Sequence, residues 1–554
     1  MAGIGFALLP PPSLVPRAPA HARPRNRPSK PSVEHAYDAV VVGSGFGGGI
    51  SACRLAEAGL RVCVLERGRR FGAGDYPDRP SQAPYAFWHP SLNPGGMFDL
   101  RMMKDLSVLT AAGVGGGSLV YANVQLRAPS DVFDDPHWPA AIDRAALDPY
   151  YDRTEEALQP RTTPLEPDLP KVRSFAAMGR RAGHDPERLP LAVHFGESRR
   201  HPFSGVAQQG CENLGRCDIG CPLMAKNTVD ITYVARAEAH GAEVYPLHEA
   251  TGIDAPEQAG GNWRVWFRDL HYRIKGEVEA PIVVLAAGTL GSTRLLLKSR
   301  RGLGRLSGAL GTRFSGNGDA LGLAVDPRAS DVAGARTDYG PSMTSRVVYG
   351  DRGFMVADGG LPASFGGVLE IVRGVNALTG WGRVVLHVKN AAARLGLTDR
   401  RVTHRNVRLK EHAPIGDTLV FLMIGRDTAS GRFRLTPLFR TLDIRWSKSD
   451  SAELFDGMRE AAGELAEAAE AGSFFALDAG PLGKFITVHP LGGCPMSDDP
   501  ETGVVDDAGK VHGYDGLYVL DGSVVPTALG VNPSKTIAAL AERGVERVLA
   551  HRSA

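Results

Sequence analysis

The stretch "YDAVVVGSGFGGGISACRLAEAGLRVCVLERG", Tyr37 to Gly68, decides the fold of this 554-residue chain. It opens with an all-apolar run, Val40 to Val42, which is typical of a strand buried on both faces of a parallel sheet. A G-x-G-x-x-G sequence follows, then a helical pattern, then a second apolar strand that ends at Glu66. This order of strand, glycine loop, helix and strand predicts the first half of a doubly wound α/β domain that binds a dinucleotide.

The three glycines of this loop, Gly43, Gly45 and Gly48, have separate expected roles. Gly43 makes the tight turn, Gly45 lets the backbone approach a pyrophosphate, and Gly48 lets the helix pack closely on the strand. The helix N-terminus then faces the phosphates. Glu66 follows Gly43 by 23 residues, a distance at which an acidic residue binds the ribose hydroxyls. Its negative charge disfavours a 2′-phosphate, so the unit predicts NAD or FAD and not NADP.

A second glycine loop, "TAAGVGGGSLVYANV", runs from Thr110 to Val124. Its run of glycines allows backbone amides to lie flat against an extended cofactor. An FAD stretched across a protein needs such a second contact, whereas NAD usually needs only the crevice of one domain. The loop therefore favours FAD. A mobile loop is the alternative, although a patterned segment resumes directly after the glycines.

Two later segments continue the same domain. "APIVVLAAGTLGSTRLLLKS", Ala280 to Ser299, reads as a buried strand, a close-approach loop and a helix. "GLYVLDGSVVP", Gly516 to Pro526, is a strand that ends in Asp521 and Gly522, and such positions border the ligand crevice of an open α/β sheet. We therefore expect a Rossmann-like FAD-binding domain that is discontinuous, with a second, α+β substrate domain formed by the segments between its parts. The expected ranges are 36–130, 208–318 and 480–554 for the FAD-binding domain, and 131–207 and 319–479 for the substrate domain.

The substrate domain contains strand-like runs and one clear helix. We expect this helix to begin at Asp450, with Glu453 three residues on, which is the spacing of a capping box. An apolar stripe typical of core packing follows, and Gly472 is expected to end the helix.

The composition excludes several classes of function. A net charge of +2 lacks the excess of positive charge that is typical of proteins that bind nucleic acid. No apolar stretch is long enough to form a transmembrane segment. The N-terminal segment, residues 1–35, differs in composition from the rest of the chain. Its first 33 residues hold eight prolines and five Lys or Arg but no acidic residue. This composition indicates a disordered tail, or a start codon assigned too far upstream, with a targeting segment as the minority alternative. The expected location is the cytoplasm, with secretion or organelle targeting as the alternatives.

Three cysteines, Cys211, Cys217 and Cys221, are clustered in "CENLGRCDIGC". A structural zinc site needs four ligands, and no fourth is evident, so no metal site is predicted. Reduced thiols in a structural loop are the first expectation, with a disulfide or a metal as alternatives.

Near the C-terminal end, "VHPLGGC" places His489 before a proline and two glycines, and "GVNPSKT" places Asn532 before a proline. A neutral imidazole accepts a proton near neutral pH, and an amide side chain both donates and accepts hydrogen bonds. We expect His489 and Asn532 to be catalytic. We also expect the two glycines to let the backbone pass close to the cofactor.

Six segments in order resemble one family: "VVVGSGFGGG" with Glu66, "GVGGGSLVYANV", "LAAGTLGSTRLL", "HPLGGC", "LYVLDGSVVP" and "GVNPSKTIAALAER". Together they resemble the glucose-methanol-choline (GMC) flavoprotein oxidoreductases, in the branch of the bacterial cholesterol oxidases. The resemblance implies FAD, bound covalently or not, and oxidation of an alcohol to a carbonyl by hydride transfer to flavin N5. It also implies that the substrate domain is built on an antiparallel sheet that lies over the flavin. Oxygen or another acceptor would then take the electrons.

By motif, His489 matches the family's histidine beside the substrate hydroxyl, and Asn532 matches the asparagine near the flavin edge. The positions that match or adjoin the FAD contacts are Gly43, Gly45, Gly48, Glu66, Gly115, Ser118, Asn123, Asp521 and Gly522. A hydrophobic or sterol-like secondary alcohol is the expected substrate. The alternatives are dehydrogenation of another alcohol or a sugar, and a flavin-binding protein with other redox chemistry.

Two positions depart from the resemblance. Tyr121 stands where the cholesterol oxidases have an asparagine, and Asn123 lies two residues further on. The glutamate that helps those enzymes to isomerise a steroid double bond falls on Ala357, beside Asp358, when "FMVADGGLP" is aligned on its proline. This departure counts against isomerase activity and against a sterol substrate, and Asp358 and Glu370 are the other carboxylates that could move the proton.

Overall fold

The fold is described by a computed structural model in residues 33–79, 81–304, 306–362, 401, 418–476 and 485–553. The strands, in chain order, are β1 Ala39–Val42, β2 Val62–Glu66, β3 Phe98–Met102, β4 Leu106–Ala111, β5 Glu187–Arg188, β6 Arg199–Arg200, β7 Ala207–Gln208, β8 Glu243–Pro246, β9 His248–Asp254, β10 Trp263–Asp269, β11 Lys275–Ala280, β12 Ile282–Leu285, β13 Ala320–Pro327, β14 Ser345–Tyr349, β15 Phe354–Gly359, β16 Thr418–Gly425, β17 Arg432–Leu435, β18 Leu442–Arg445, β19 Ala471–Ala476, β20 Phe485–Thr487 and β21 Leu517–Val519. The α-helices are α1 Phe46–Glu57, α2 Arg144–Leu158, α3 Pro170–Arg181, α4 Ala235–Ala239, α5 Gly288–Leu303, α6 Ala452–Ala468 and α7 Ser534–Ser553.

A parallel sheet forms the centre of the first layer, with the strand order β21-β12-β1-β2-β8. All four residues of β1 are buried, as its apolar sequence predicts for a strand covered on both faces. The chain runs from β1 to β2 on one side and returns later as β12 on the other. The carboxyl ends of β1 and β12 therefore border the crevice in which such sheets bind their ligands.

An antiparallel sheet forms the second layer, with the order β19-β13-β16-β15-β14-β5. Its side chains alternate between two faces, because successive residues of a strand point to opposite sides. Phe354 and Val356 pack in one core with α6 residues such as Met458. Met355 and Ala357 point the other way, into a separate apolar cluster. The predicted fold class, a Rossmann-like layer with an antiparallel substrate sheet, is confirmed, while the domain boundaries stay predictions.

Helix α6 differs from the prediction at both ends. It begins at Ala452, not at Asp450, and the residue before it, Ser451, makes no side-chain cap. The hydroxyl of Ser451 instead accepts the N–H of Thr428, and the Asp450 carboxylate accepts a bond from Ser430. The helix ends at Ala468, and Gly472 lies within β19.

No helix among the described residues is long and apolar enough to cross a membrane. Residues 1–32 of the N-terminal segment lie outside the described residues.

Candidate active site

The first glycine loop connects β1 to α1 at the crevice. Gly43 has φ +99°, and a Cβ there would lie 2.3 Å from the carbonyl oxygen of Ala286 after β12. A Cβ on Gly48 would lie 2.0 Å from the Gly43 carbonyl oxygen, so helix and loop touch at this point. A Cβ on Gly45 would meet only the Cα of Gly116, at 3.7 Å. Gly43 and Gly48 are therefore required by close protein packing, whereas Gly45 leaves free space beside the loop.

The second glycine loop lies directly against the first. Gly116 has φ +55°, and a Cβ there would lie 2.5 Å from the Cα of Gly45. Ser118 braces this loop, because its hydroxyl donates to the Gly115 carbonyl at 2.7 Å and accepts the N–H of Val229 at 2.8 Å. Helix α1 starts after Gly45 without a side-chain cap. Its first N–H groups are therefore free to bind a phosphate.

Glu66 lies at the end of β2 and binds the first loop. Its Oε2 accepts the hydroxyl of Ser44 at 2.7 Å and the Ser44 N–H at 3.1 Å. Its Oε1 accepts the N–H of Gly68 at 2.8 Å. Burial raises the pKa of this carboxyl above its usual value. Because a carboxylate oxygen can accept two bonds, Oε1 keeps acceptor capacity for a ribose hydroxyl.

Asp521 and Gly522 lie beyond β21, on the far side of the crevice from Glu66. Asp521 accepts the hydroxyl of Ser292 at 2.5 Å, and the N–H and hydroxyl of Ser523 at 2.8 and 2.6 Å. Burial raises the pKa of Asp521. A Cβ on Gly522 would lie 3.0 Å from the hydroxyl of Thr289 in α5. Asp521 thus connects the end of β21 to α5 and holds this wall of the crevice in place.

Buried polar atoms that have no hydrogen-bond partner in the protein indicate whether these residues fit FAD. Both side-chain polar atoms of Asn123 are buried without a hydrogen-bond partner in the described structure, and so are Oδ1 of Asp230 and Oδ1 of Asn532. A buried unpaired polar group costs about 1–3 kcal/mol. Asp230 lies beside the second glycine loop, since a Cβ on Gly115 would be 3.1 Å from its Oδ1. A polar, extended ligand along the two glycine loops would satisfy such atoms, so the residues fit FAD.

His489 is held by an aspartate that sequence reasoning did not single out. Its Nδ1 lies 2.7 Å from Oδ1 of Asp319. Oδ2 of Asp319 accepts the N–H of Val488 at 2.8 Å, the N–H of His489 at 3.1 Å and the hydroxyl of Thr487 at 2.9 Å. The imidazole is partly exposed, while the aspartate is almost fully buried.

Asn532 is positioned by the same loop that carries Asp319. The side chain of Asn317 accepts the N–H groups of Leu529 and Gly530 and donates to the Val531 carbonyl, at 2.8–3.1 Å. The loop 315–319 therefore fixes both His489, through Asp319, and the chain that leads to Asn532, through Asn317. The only sequence signal for this loop is the polar run "SGNGD" before a strand.

The two glycines after His489 lie in close contact with other parts of the chain. A Cβ on Gly492 would lie 1.8 Å from the Arg313 carbonyl oxygen, and one on Gly493 would lie 2.2 Å from the hydroxyl of Thr293. Both have positive φ. Contacts within the protein therefore already require glycine at both positions, and the expected approach of this backbone to the cofactor stays a prediction.

The side of the antiparallel sheet that carries Ala357, which we call the apolar face, adjoins Asn532. Met343 packs with Met355 and Ala357, and its sulfur lies 3.9 Å from Nδ2 of Asn532. The pairing registers place these side chains on the apolar face: Leu321, Leu323, Val420, Leu422, Ile424, Met355 and Ala357. Arg346 also lies on this face, opposite Ala357, and pairs with Glu187 at 2.7 Å. Within the described strands, the charged side chains of this face are Arg346 and Glu187.

The clustered cysteines Cys211, Cys217 and Cys221 are free thiols. Burial raises the pKa of Cys211 to about 12 and also raises the pKa of Cys217. Protonated thiols are poor nucleophiles and poor metal ligands. The described residues contain no group of three or more His, Cys, Asp or Glu that could hold a metal ion.

Comparison with known proteins agrees with this arrangement. The profiles of the GMC oxidoreductase family match residues 37–316 and 429–541. The chain belongs to the GMC oxidoreductase family. Proteins of this family bind a flavin and act on alcohols, so this protein is a GMC oxidoreductase that acts on CH–OH groups. The resemblance inferred from the sequence motifs is confirmed.

Named relatives of this GMC oxidoreductase differ in substrate. A cholesterol oxidase of Mycobacterium tuberculosis is 30% identical over 92% of this chain and 90% of its own length. A paromamine 6′-oxidase of Streptomyces fradiae is 28% identical over 93% of this chain and 92% of its own length. A crystal structure of pyridoxine 4-oxidase from Mesorbium loti superposes with a TM-score of 0.62 at 17% identity, covering 93% of this chain and 99% of that one. This last likeness concerns the fold alone.

Proposed function

We propose that this GMC oxidoreductase binds FAD and oxidises a hydrophobic secondary alcohol, of sterol-like shape, to a ketone. The observation that carries the proposal is His489, which Asp319 holds through Nδ1. Asp319 directly precedes β13, a strand of the sheet whose apolar face adjoins Asn532. Among the described residues, Nε2 of His489 has no hydrogen-bond partner. It is therefore available to a substrate hydroxyl.

The apolar face supports a hydrophobic substrate. Each leucine, isoleucine or methionine side chain that a substrate covers contributes roughly 25 cal/mol per Å² of apolar surface removed from water. A polyhydroxylated ligand would leave its hydroxyls against these side chains without partners, at about 1–3 kcal/mol each. The face therefore favours an apolar ring system over a sugar.

The chain's own residues supply orientation and proton transfer. The hydroxyl of the substrate donates to Nε2 of His489, which accepts the proton as the carbonyl forms. Asn532, with Oδ1 unpaired and Nδ2 beside Met343, orients the same hydroxyl or the flavin edge. FAD, when bound, supplies the acceptor for the hydride; Glu66, the two glycine loops and the crevice wall at Asp521 would hold it.

An amino sugar is a second candidate because a paromamine oxidase is among the relatives. The charges on the apolar face count against it. Arg346 lies opposite Ala357, and its charge is balanced by one carboxylate, Glu187. In the described strands, the face thus offers no surplus negative charge for the ammonium groups of an amino sugar.

Anaerobic reduction tests the proposal. The purified protein should be yellow and should release FAD, not FMN, on denaturation. A 3β-hydroxysterol, a long-chain primary alcohol and an amino sugar are added separately without oxygen, and the loss of visible flavin absorbance is followed. The sterol should reduce the flavin fastest. Colourless protein that takes up no FAD would reject the cofactor, and faster reduction by the amino sugar would reject the substrate class. Mixing the reduced protein with oxygen then separates an oxidase from a dehydrogenase.

A further inference from the structure

The Asp319 carboxylate is arranged around a single imidazole. Its four hydrogen bonds all come from three consecutive residues, Thr487, Val488 and His489. Three of these bonds reach Oδ2, so the carboxylate cannot rotate without losing them. Oδ1 is left facing Nδ1 of His489 at 2.7 Å.

This geometry determines where the proton of the neutral imidazole lies. A carboxylate only accepts hydrogen bonds, so Nδ1 must carry the hydrogen, and Nε2 then carries the lone pair. Nε2 is the ring nitrogen without a partner among the described residues. The form of the ring that Asp319 selects is therefore the form that can accept a proton from an alcohol.

The other charged groups near this histidine do not take this role. Asp427 binds the backbone of the 315–319 loop, because its Oδ2 accepts the N–H groups of Gly316 and Gly318. Arg426 lies on the side of Gly530 and pairs with Asp131 at 2.7 Å. In the described structure, Asp319 alone forms an ion-pair contact with the His489 ring.

We propose that Asp319 is a positioning residue: it holds His489 in the Nδ1–H form and stabilises the imidazolium that forms when Nε2 takes the hydroxyl proton. The proposal rests on the proposed function. The alcohol loses its hydroxyl proton to Nε2 and a hydride to oxidised FAD, and leaves as the carbonyl compound. Asp319 itself stays ionised throughout, as a carboxylate that orients a catalytic imidazole does.

The decisive variant is Asp319→Asn, which keeps the size of the side chain and removes the charge. The amide can turn its N–H₂ group toward Nδ1, which then favours the form with hydrogen on Nε2. We expect the rate of flavin reduction by the alcohol to fall by about 10²–10⁴, with a smaller effect on KM. Asp427→Asn changes a buried carboxylate that follows β16 and binds the 315–319 loop at Gly316 and Gly318 without touching the ring. This control should reduce the rate by less than about tenfold.

A double-variant comparison separates positioning from simple support of the fold. His489→Gln removes the group through which Asp319 acts. Adding Asp319→Asn to His489→Gln should therefore lower the rate little further, because residues that act as a unit have non-additive effects. Full additivity of the two losses would overturn the proposal.

Nitrogen NMR of ¹⁵N-histidine-labelled protein gives a readout that needs no substrate. The His489 ring signals are identified by their loss in His489→Gln. They should show hydrogen on Nδ1 in the wild type, and on Nε2 or on both nitrogens in turn in Asp319→Asn. An unchanged ring in Asp319→Asn would overturn the proposal. If no alcohol reduces the flavin, the proposed function fails, while the NMR result still decides the role of Asp319.

Discussion

His489 is the residue on which the proposed chemistry most directly depends. His489→Ala should retain bound FAD, because the glycine loops and Glu66 lie elsewhere. Turnover should fall by roughly 10²–10⁴, the usual contribution of positioned acid–base catalysis. His489→Gln should be milder, since it keeps a hydrogen-bonding side chain. Stopped-flow reduction measures both, and a wild-type rate in His489→Ala would make this histidine structural.

Glu66 is the residue whose loss should most directly weaken binding of the cofactor. Glu66→Ala removes the acceptor for Ser44 and Gly68 as well as the expected ribose contact. A hydrogen bond to a charged group contributes about 1.5–3 kcal/mol, so the dissociation constant of FAD should rise about 10- to 100-fold.

Titration of the apoprotein with FAD measures this change for Glu66→Ala. Glu66→Gln is the matched control, because it keeps one acceptor oxygen and should bind FAD at intermediate strength. Equal FAD affinity in the wild type and Glu66→Ala would remove Glu66 from the cofactor site.

At the scale of elements, the two glycine loops act as one unit. Gly116→Ala puts a Cβ 2.5 Å from the Cα of Gly45 at a positive φ, so the loops must separate. Backbone strain of this kind costs about 1–3 kcal/mol. We expect a lower melting temperature and weaker FAD binding. Gly117→Ala is the control, since nothing lies within 4 Å of its Cβ; a loss of FAD as large as that in Gly116→Ala would contradict this account.

Local elements could be read from the sequence because their signals are local. The strand, glycine loop and helix of Ala39–Glu57 follow from neighbouring residues. Helix α6 shows the limit of this approach: Asp450 has the residue type and spacing of a cap, yet its carboxylate binds Ser430. A cap predicted from spacing fails where a tertiary partner competes for the same side chain.

The organisation of the candidate site could be predicted only in part for a similar reason. His489 and Asn532 each lie in a local sequence motif, but no motif indicates the residues that hold them in place. Asp319 lies 170 residues from His489, and Asn317 lies 214 residues from Val531. Such contacts depend on how segments that are distant in sequence pack together, which no spacing in the sequence records. The sequence also does not separate the two possible reasons for the glycines after His489, because a close approach to protein and one to a cofactor require the same residue.

At the scale of the whole molecule, the antiparallel sheet determines which groups would meet a substrate that binds as proposed on its apolar face. Ala357 lies on the apolar face, in one cluster with Met355 and Ile424. Asp358 points to the opposite side, where it accepts the N–H groups of Thr344 and Ser345 and the Thr344 hydroxyl, and lies 3.4 Å from Lys171. Alternation along β15 therefore takes Asp358 away from the apolar face. Glu370, the other carboxylate considered from the sequence, lies outside the described residues.

This arrangement predicts the product of a Δ5-3β-hydroxysteroid. Moving the double bond into conjugation requires a group that transfers a proton between ring carbons, and the methyl group of Ala357 cannot do this. The unconjugated ketone should therefore appear first, followed by slow conversion in solution, as judged by ultraviolet absorbance. Ala357→Glu should add a carboxylate to the apolar face and produce the conjugated enone at a rate set by the enzyme. Ala357→Gln, of equal size but uncharged, should oxidise without isomerising. If the wild type forms the enone as fast as it reduces the flavin, a different carboxylate must face the steroid, and the orientation of β15 alone does not control the product.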